Sequence, residues 1–228
     1  MNLFFMFFLI SRRKVKVMCF SKNISLFTFL TGIIGGLLCY QIGTPDYKII
    51  GLFFMFVSLM QGIEYLLWNH QICDNYNKLI SSLGMILNHL QPIILCLLLF
   101  IYSKSKFNEN KKLILTLITI YIVFIIPYSL KFKNQCTMKN DNNNLNWEWN
   151  HMVNGQIVYS LFLLCLVVFG YFLPNLGKSF SLFALLSYGI SYFIYSQQHI
   201  VGQIWCMFSA FGPLLYFLFY TFLKTKVV

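Results

Sequence analysis

Residues 49–68 read IIGLFFMFVSLMQGIEYLLW, twenty residues with one charge, Glu64, near the far end. At the rise of an α-helix, about twenty such residues cross the ~30 Å hydrocarbon layer of a bilayer. The stretch is apolar on every face, so it does not read as an amphipathic helix at the surface of a water-soluble domain. Six further runs of the same kind occupy residues 24–40, 79–102, 113–130, 153–173, 180–195 and 202–222. They predict an all-α fold, a polytopic membrane helical bundle of about seven transmembrane helices.

Composition agrees with that reading. Of 228 residues 58% are hydrophobic and 19% aromatic, and 10% are charged, against roughly a quarter in an ordinary globular chain. Between the runs there are short loops and one hydrophilic segment, which leaves no room for a second soluble domain. Residues 18–228 therefore read as a single transmembrane helical domain. Residues 1–17 read as an N-terminal extension whose apolar start is too short to span and can lie at the interface. Pro92, Pro127 and Pro213 fall within or near the ends of runs, where membrane helices tolerate them.

The formal charge of +11 does not point to nucleic acid. Arg12, Arg13, Lys14, Lys16 and Lys22 precede the first long run; Lys104, Lys106, Lys111 and Lys112 separate two runs; Lys224 and Lys226 follow the last. Basic residues at span ends meet anionic lipid and orient a bundle, so the lipid bilayer is the partner this charge implies. With a core starting at Met18 and its N-terminus outside, the inner loops sum to +6 and the outer loops to +2. The sequence thus favours N-out and C-in, and does not separate plasma membrane from internal membranes.

Two cysteines, Cys73 and Cys136, then fall in outer loops and form a candidate disulfide in an oxidising compartment. Cys19 with Cys206, both near the outer boundary, is a second candidate pair. Cys39, Cys96 and Cys165 read as apolar thiols within spans. No CxxC pair or combined Cys and His spacing signals structural zinc.

Gln61, Glu64 and Trp68 recur at three- and four-residue spacing and share one helix face. An ionised carboxylate in hydrocarbon is expensive unless it meets water or a partner, so Glu64 marks a buried network, a proton relay or a cation site. In the next run Asn88, His89 and Gln91 precede Pro92; Asn88 and Gln91 share a face, and His89 points about 100° away. Toward the outer side the model of alternating spans gathers His70, Asn150, His151, Asn154, Gln197, Gln198, His199 and Gln203, which predicts a hydrated vestibule leading toward Glu64. Trp147 and Trp149 read as interfacial anchors.

Three segments carry a resemblance. Met18-Cys19-Phe20-Ser21, Gln61-Gly62-Ile63-Glu64-Tyr65-Leu66-Leu67-Trp68 and Trp205-Cys206-Met207-Phe208-Ser209-Ala210 resemble an uncharacterised family of small multi-pass membrane proteins. Its members carry an N-terminal Met-Cys-Phe/Trp-Ser motif, a Glu-x-x-x-Trp segment in the second span and Trp-Cys in the last. The resemblance implies a start at Met18 and marks Cys19, Glu64, Trp68, Trp205 and Cys206 as counterparts of family motif residues. Tyr65 stands where many relatives have glycine. No activity comes with the family.

Polar groups within an otherwise apolar bundle favour a small channel or transporter for protons, cations or a small polar ligand, using Gln61, Glu64, Trp68, Asn88, His89, Gln91, His199 and Gln203. The alternatives are a membrane-embedded metal-dependent enzyme built on Glu64, His89 and His199, and a sensory or structural membrane protein. The enzyme lacks a recognisable motif, since no HExxH or nucleophile elbow occurs. A retinal-type Schiff base is disfavoured because the last span has no lysine before Lys224. The sequence leaves the identity of any cofactor or metal unknown, and self-association open.

Overall fold

A computed structural model describes residues 21–133, 135–140, 144–195 and 200–225. Seven long helices occupy the seven apolar runs: α1 (Lys22–Ile42), α2 (Pro45–Asn69), α3 (Asn75–Tyr102), α5 (Lys111–Leu130), α6 (Gly155–Tyr171), α7 (Gly177–Tyr195) and α8 (Val201–Thr225). A short α4 (Lys104–Glu109) lies between α3 and α5, and a 3-10 turn (Glu148–Asn150) precedes α6. Successive long helices run in alternating directions, so the α2–α3, α5–α6 and α7–α8 connections share one end with the start of α1. We call this end A, and the opposite one end B.

The all-α membrane bundle is therefore present, and the count of seven spans needs correction. Five helices, α1, α2, α3, α5 and α8, are long and apolar enough to cross a bilayer. Helix α6 has only 17 residues, or about 25 Å. Helix α7 is long enough, but Lys178, four serines and three tyrosines dilute its apolar character.

Helix α2 is the innermost, packing against α1, α3 and α8, and α1 and α5 lie toward the outside. Phe27, Leu30, Ile34 and Leu37 of α1 and Leu113, Val123 and Ile126 of α5 are exposed, as lipid-facing side chains must be. The contact of α1 with α2 is made by glycine. A Cβ at Gly51 would stand 2.5 Å from the Gly36 carbonyl oxygen, and one at Gly36 would stand 2.8 Å from the Gly51 carbonyl oxygen. The backbones touch because neither residue has a side chain, a common way to join helices in lipid.

Each end is tied by polar groups. At end B the buried Asp46 carboxylate accepts from the backbone N–H groups of Asn175 and Leu176 and from Asn175 Nδ2, all at 3.0 Å, fixing the turn that leads into α7. At end A, Cys73 and Cys136 form a disulfide across 63 residues of sequence. Beside it Asn77 Oδ1 accepts from Thr137 N at 3.0 Å, and Asn77 Nδ2 donates to the Thr137 and His70 carbonyls at 3.1 and 2.9 Å. The segment after α5 is thus stitched to the first turns of α3.

Candidate functional site: a polar seam between two aromatic layers

On α1, Ser25 and Thr28 are one turn apart and buried; on α2, Gln61 and Glu64 are likewise one turn apart and buried. The two antiparallel faces pair in register. Ser25 Oγ donates to Glu64 Oε2 at 3.3 Å, and Thr28 Oγ1 donates to Gln61 Oε1 at 2.8 Å. The Gln61 amide also lies beside the Glu64 carboxyl, with its Nε2 unpartnered. Glu64 is 2% exposed, and among the described residues no cationic side chain pairs with it.

Helices α3 and α8 close the other side. Cys206 is a buried, free thiol that stands beside the Gln91 side chain and within electrostatic reach of Glu64. Gln91 is fully buried, and neither its Nε2 nor its Oε1 has a hydrogen-bond partner; Ser209 Oγ, one turn from Cys206, is also buried and unpartnered. The result is a seam of carboxyl, amide, hydroxyl and thiol groups contributed by four helices. Trp68 is half-buried beside Ile200 and Ile204, with its indole N–H unpartnered.

The seam is closed toward both ends by rings. Toward end B lie Phe53, Phe54 and Phe180, all buried, with Phe54 edge-on to Phe183 at 5.7 Å. Toward end A the segment between α5 and α6 folds over the bundle. Trp147 and Trp149 are both 0% exposed and stack with centroids 5.0 Å apart. Tyr128 donates its hydroxyl to the Trp149 carbonyl, and Gln203 donates its amide to the Leu145 carbonyl. These tryptophans are not the interfacial anchors expected from the sequence. Glycine makes room for them, since a Cβ at Gly84 would meet Trp149 at 3.3 Å and one at Gly202 would meet Trp147 at 3.5 Å.

The same roof corrects the expected open vestibule. Gln203 is buried beneath Leu145, and His70 pairs with Asp74, Nε2 to Oδ2, at 2.9 Å. Asp74 also accepts from the Asn77 backbone N–H, and that bond, with the His70 partner, holds its carboxyl below the usual range. His151 and Asn154 are exposed beside the roof. Gln197, Gln198, His199 and Cys19 lie outside the described residues. Among the described residues Cys206 is a free thiol, and the second expected disulfide, with Cys19, falls outside them.

His89 belongs to a separate cluster. It is buried with Nδ1 2.8 Å from Ser129 Oγ on α5 and Nε2 3.0 Å from the Tyr159 hydroxyl on α6, and Tyr121 donates to its backbone carbonyl at 2.8 Å. That last bond lies next to the carbonyl of Asn88, which Pro92 leaves without a helical donor. Two residues apart on the helix, His89 and Gln91 point about 160° from each other, His89 toward α5 and α6, Gln91 toward α8. Asn88 is buried with them.

Three groups were not singled out in the sequence. Ser25 and Thr28 are inconspicuous hydroxyls in an apolar run, and only the register of α1 on α2 gives them partners. Gly32-x-x-x-Gly36 is a legible small-residue pattern for helix contact. Asp46 follows Thr44-Pro45 and reads as a cap for its own helix, yet it serves α7. Among the described residues no group of three His, Cys, Asp or Glu side chains could hold a metal ion, so the metal-enzyme alternative finds no ligand set there.

Comparison of the chain with protein-family models, with curated proteins and with solved structures gives no match.

Proposed function

We propose that this multi-pass membrane protein is a carrier of protons or small cations, with Glu64 as the group that takes up the transported species. One observation carries the reading: a carboxyl enclosed among four helices has no cationic partner among the described residues, and the amides beside it are not fully paired. A carboxyl serving only to join helices would be expected to have its lone pairs and neighbours satisfied. Aromatic layers on both sides of the seam favour an occluded, alternating site over an open pore. Of the five motif residues of the family resemblance, Glu64 and Cys206 belong to this seam and Trp68 lies at its mouth, whereas Trp205 donates to Ser187 on α7 and Cys19 lies outside the described residues.

In this reading α6 and α7 also span, beside the five helices long and apolar enough to do so, and the exposed Leu182, Leu185, Leu186 and Ile190 of α7 face lipid. End A faces outside or a lumen, because a disulfide persists in an oxidising compartment and the more positive loops lie at end B. Flux into proteoliposomes tests the reading, with proton and alkali-cation gradients imposed in turn on wild type, Glu64→Gln and Glu64→Asp at matched reconstitution. Wild-type flux should fall at least about tenfold in Glu64→Gln and survive in part in Glu64→Asp. Equal flux in wild type and Glu64→Gln, or no flux with any gradient, overturns it.

A further inference from the structure

Resting on the carrier reading of Glu64, we infer that the species bound at this seam is a monovalent alkali cation, and that Gln91 is a specificity-determining ligand for it. The donor set argues the chemistry. Ser25 and the Gln61 carboxamide adjoin the single carboxylate, and the Gln91 carboxamide adjoins Cys206, itself within electrostatic reach of Glu64, so neutral oxygens outnumber charged ones.

Other charges fit less well. Divalent calcium or magnesium is ordinarily held by several carboxylates or retained waters, whereas this seam offers one carboxylate in a buried setting. Transition metals favour imidazole and thiolate sets, and the described residues hold no such trio. An anion would meet a carboxylate and no Lys or Arg. A proton needs one acceptor and one hydrogen-bond partner, which Glu64 and Ser25 already supply at 3.3 Å. It gives no role to a fully buried Gln91 amide with both polar atoms unpaired, or to the Ser209 hydroxyl.

A carboxamide oxygen is suited to a dehydrated alkali ion because it replaces a water oxygen without adding charge. One carboxylate then balances one positive charge, and the complex enters the low-dielectric interior neutral. Gln61 reinforces this. Its amide receives Thr28 on one atom and leaves the other unpaired; oxygen and nitrogen can exchange places by a flip of the amide. Either orientation leaves a polar atom near the carboxyl.

The test is thermal unfolding of the full-length protein in detergent at constant pH and ionic strength, replacing choline chloride stepwise with sodium, potassium or ammonium chloride. Sodium or potassium should raise the midpoint saturably, as a ligand bound only by the folded state does. The apparent affinity should fall at least about tenfold in Gln91→Leu, and the effect should vanish in Glu64→Gln. Where Gln91→Leu does not fold, Gln91→Met takes its place, and an alkali affinity unchanged in the folded Gln91 variant overturns the role given to Gln91. Identical midpoints in choline, sodium and potassium overturn the inference, as does a saturable shift with ammonium alone or one unchanged in Glu64→Gln. Proton flux without any alkali effect removes this inference and keeps the carrier reading. An alkali-dependent midpoint without flux does the reverse.

Discussion

Polar side chains in this bundle differ in how completely they are paired, and that difference separates structural from functional candidates. His89 has both ring nitrogens engaged, with Ser129 and Tyr159, which is what a residue joining three helices requires. Replacing it with phenylalanine removes both bonds and leaves the Tyr159 hydroxyl without its imidazole partner in a dry interior. The expected cost is about 1–2 kcal/mol, at the upper end for hydrogen bonds within membrane bundles. Denaturation in mixed micelles should show that loss, with alkali-ion binding at the Glu64 seam unchanged. Glu64 and Gln91 are the opposite case. The sequence made Glu64 conspicuous because one acid interrupted twenty apolar residues. It could not rank Gln91 above His89, since both are polar residues beside Pro92 and only the rotation of α3 assigns them to different neighbours.

At the scale of elements, helix positions followed almost directly from apolar run lengths, because backbone in lipid must satisfy its own hydrogen bonds. What failed to show was the contact between elements. Run length does not reveal that α1 lies backbone-to-backbone on α2, although the glycines that permit it are in plain view. Gly51→Ala places a methyl 2.5 Å from the Gly36 carbonyl oxygen and 3.0 Å from Tyr40 N. The helices must part, and we expect a loss of about 1–3 kcal/mol, the usual cost of overpacking. Gly189→Ala on α7 is the control, since nothing lies within 4 Å of its added methyl. There the substitution should be neutral or stabilising by up to about 1 kcal/mol through helix propensity. The two variants compared by thermal unfolding separate close packing from propensity. Equal effects would remove the argument for a glycine-made contact. The tryptophans were misread for a related reason. An interfacial anchor and a buried roof have the same composition, and only the tie between Cys136 and α3 brings Trp147 and Trp149 back over the bundle.

For the molecule as a whole, that tie makes end A a latched lid. The disulfide, the Asn77 bonds to Thr137 and the Gln203 bond to Leu145 hold residues 131–133, 135–140 and 144–154 across the helix mouths, while the seven long helices are ordered by their own packing. Removing the covalent link with Cys73→Ser and Cys136→Ser together should therefore loosen the lid and leave the bundle folded. Limited proteolysis should cut within residues 131–154 faster in the double variant, with unchanged helical circular dichroism. The same bond reports orientation. In intact cells or sealed right-side-out vesicles, a membrane-impermeant maleimide should label Cys73 and Cys136 only after mild reduction with an impermeant phosphine, because the remaining described cysteines are buried. Labelling that needs permeabilised membranes would place end A on the other face, and labelling without reduction would show that the thiols are not joined. Either result would change which side of the membrane the Glu64 seam is closed from by tryptophan, and hence the direction from which its ligand must arrive.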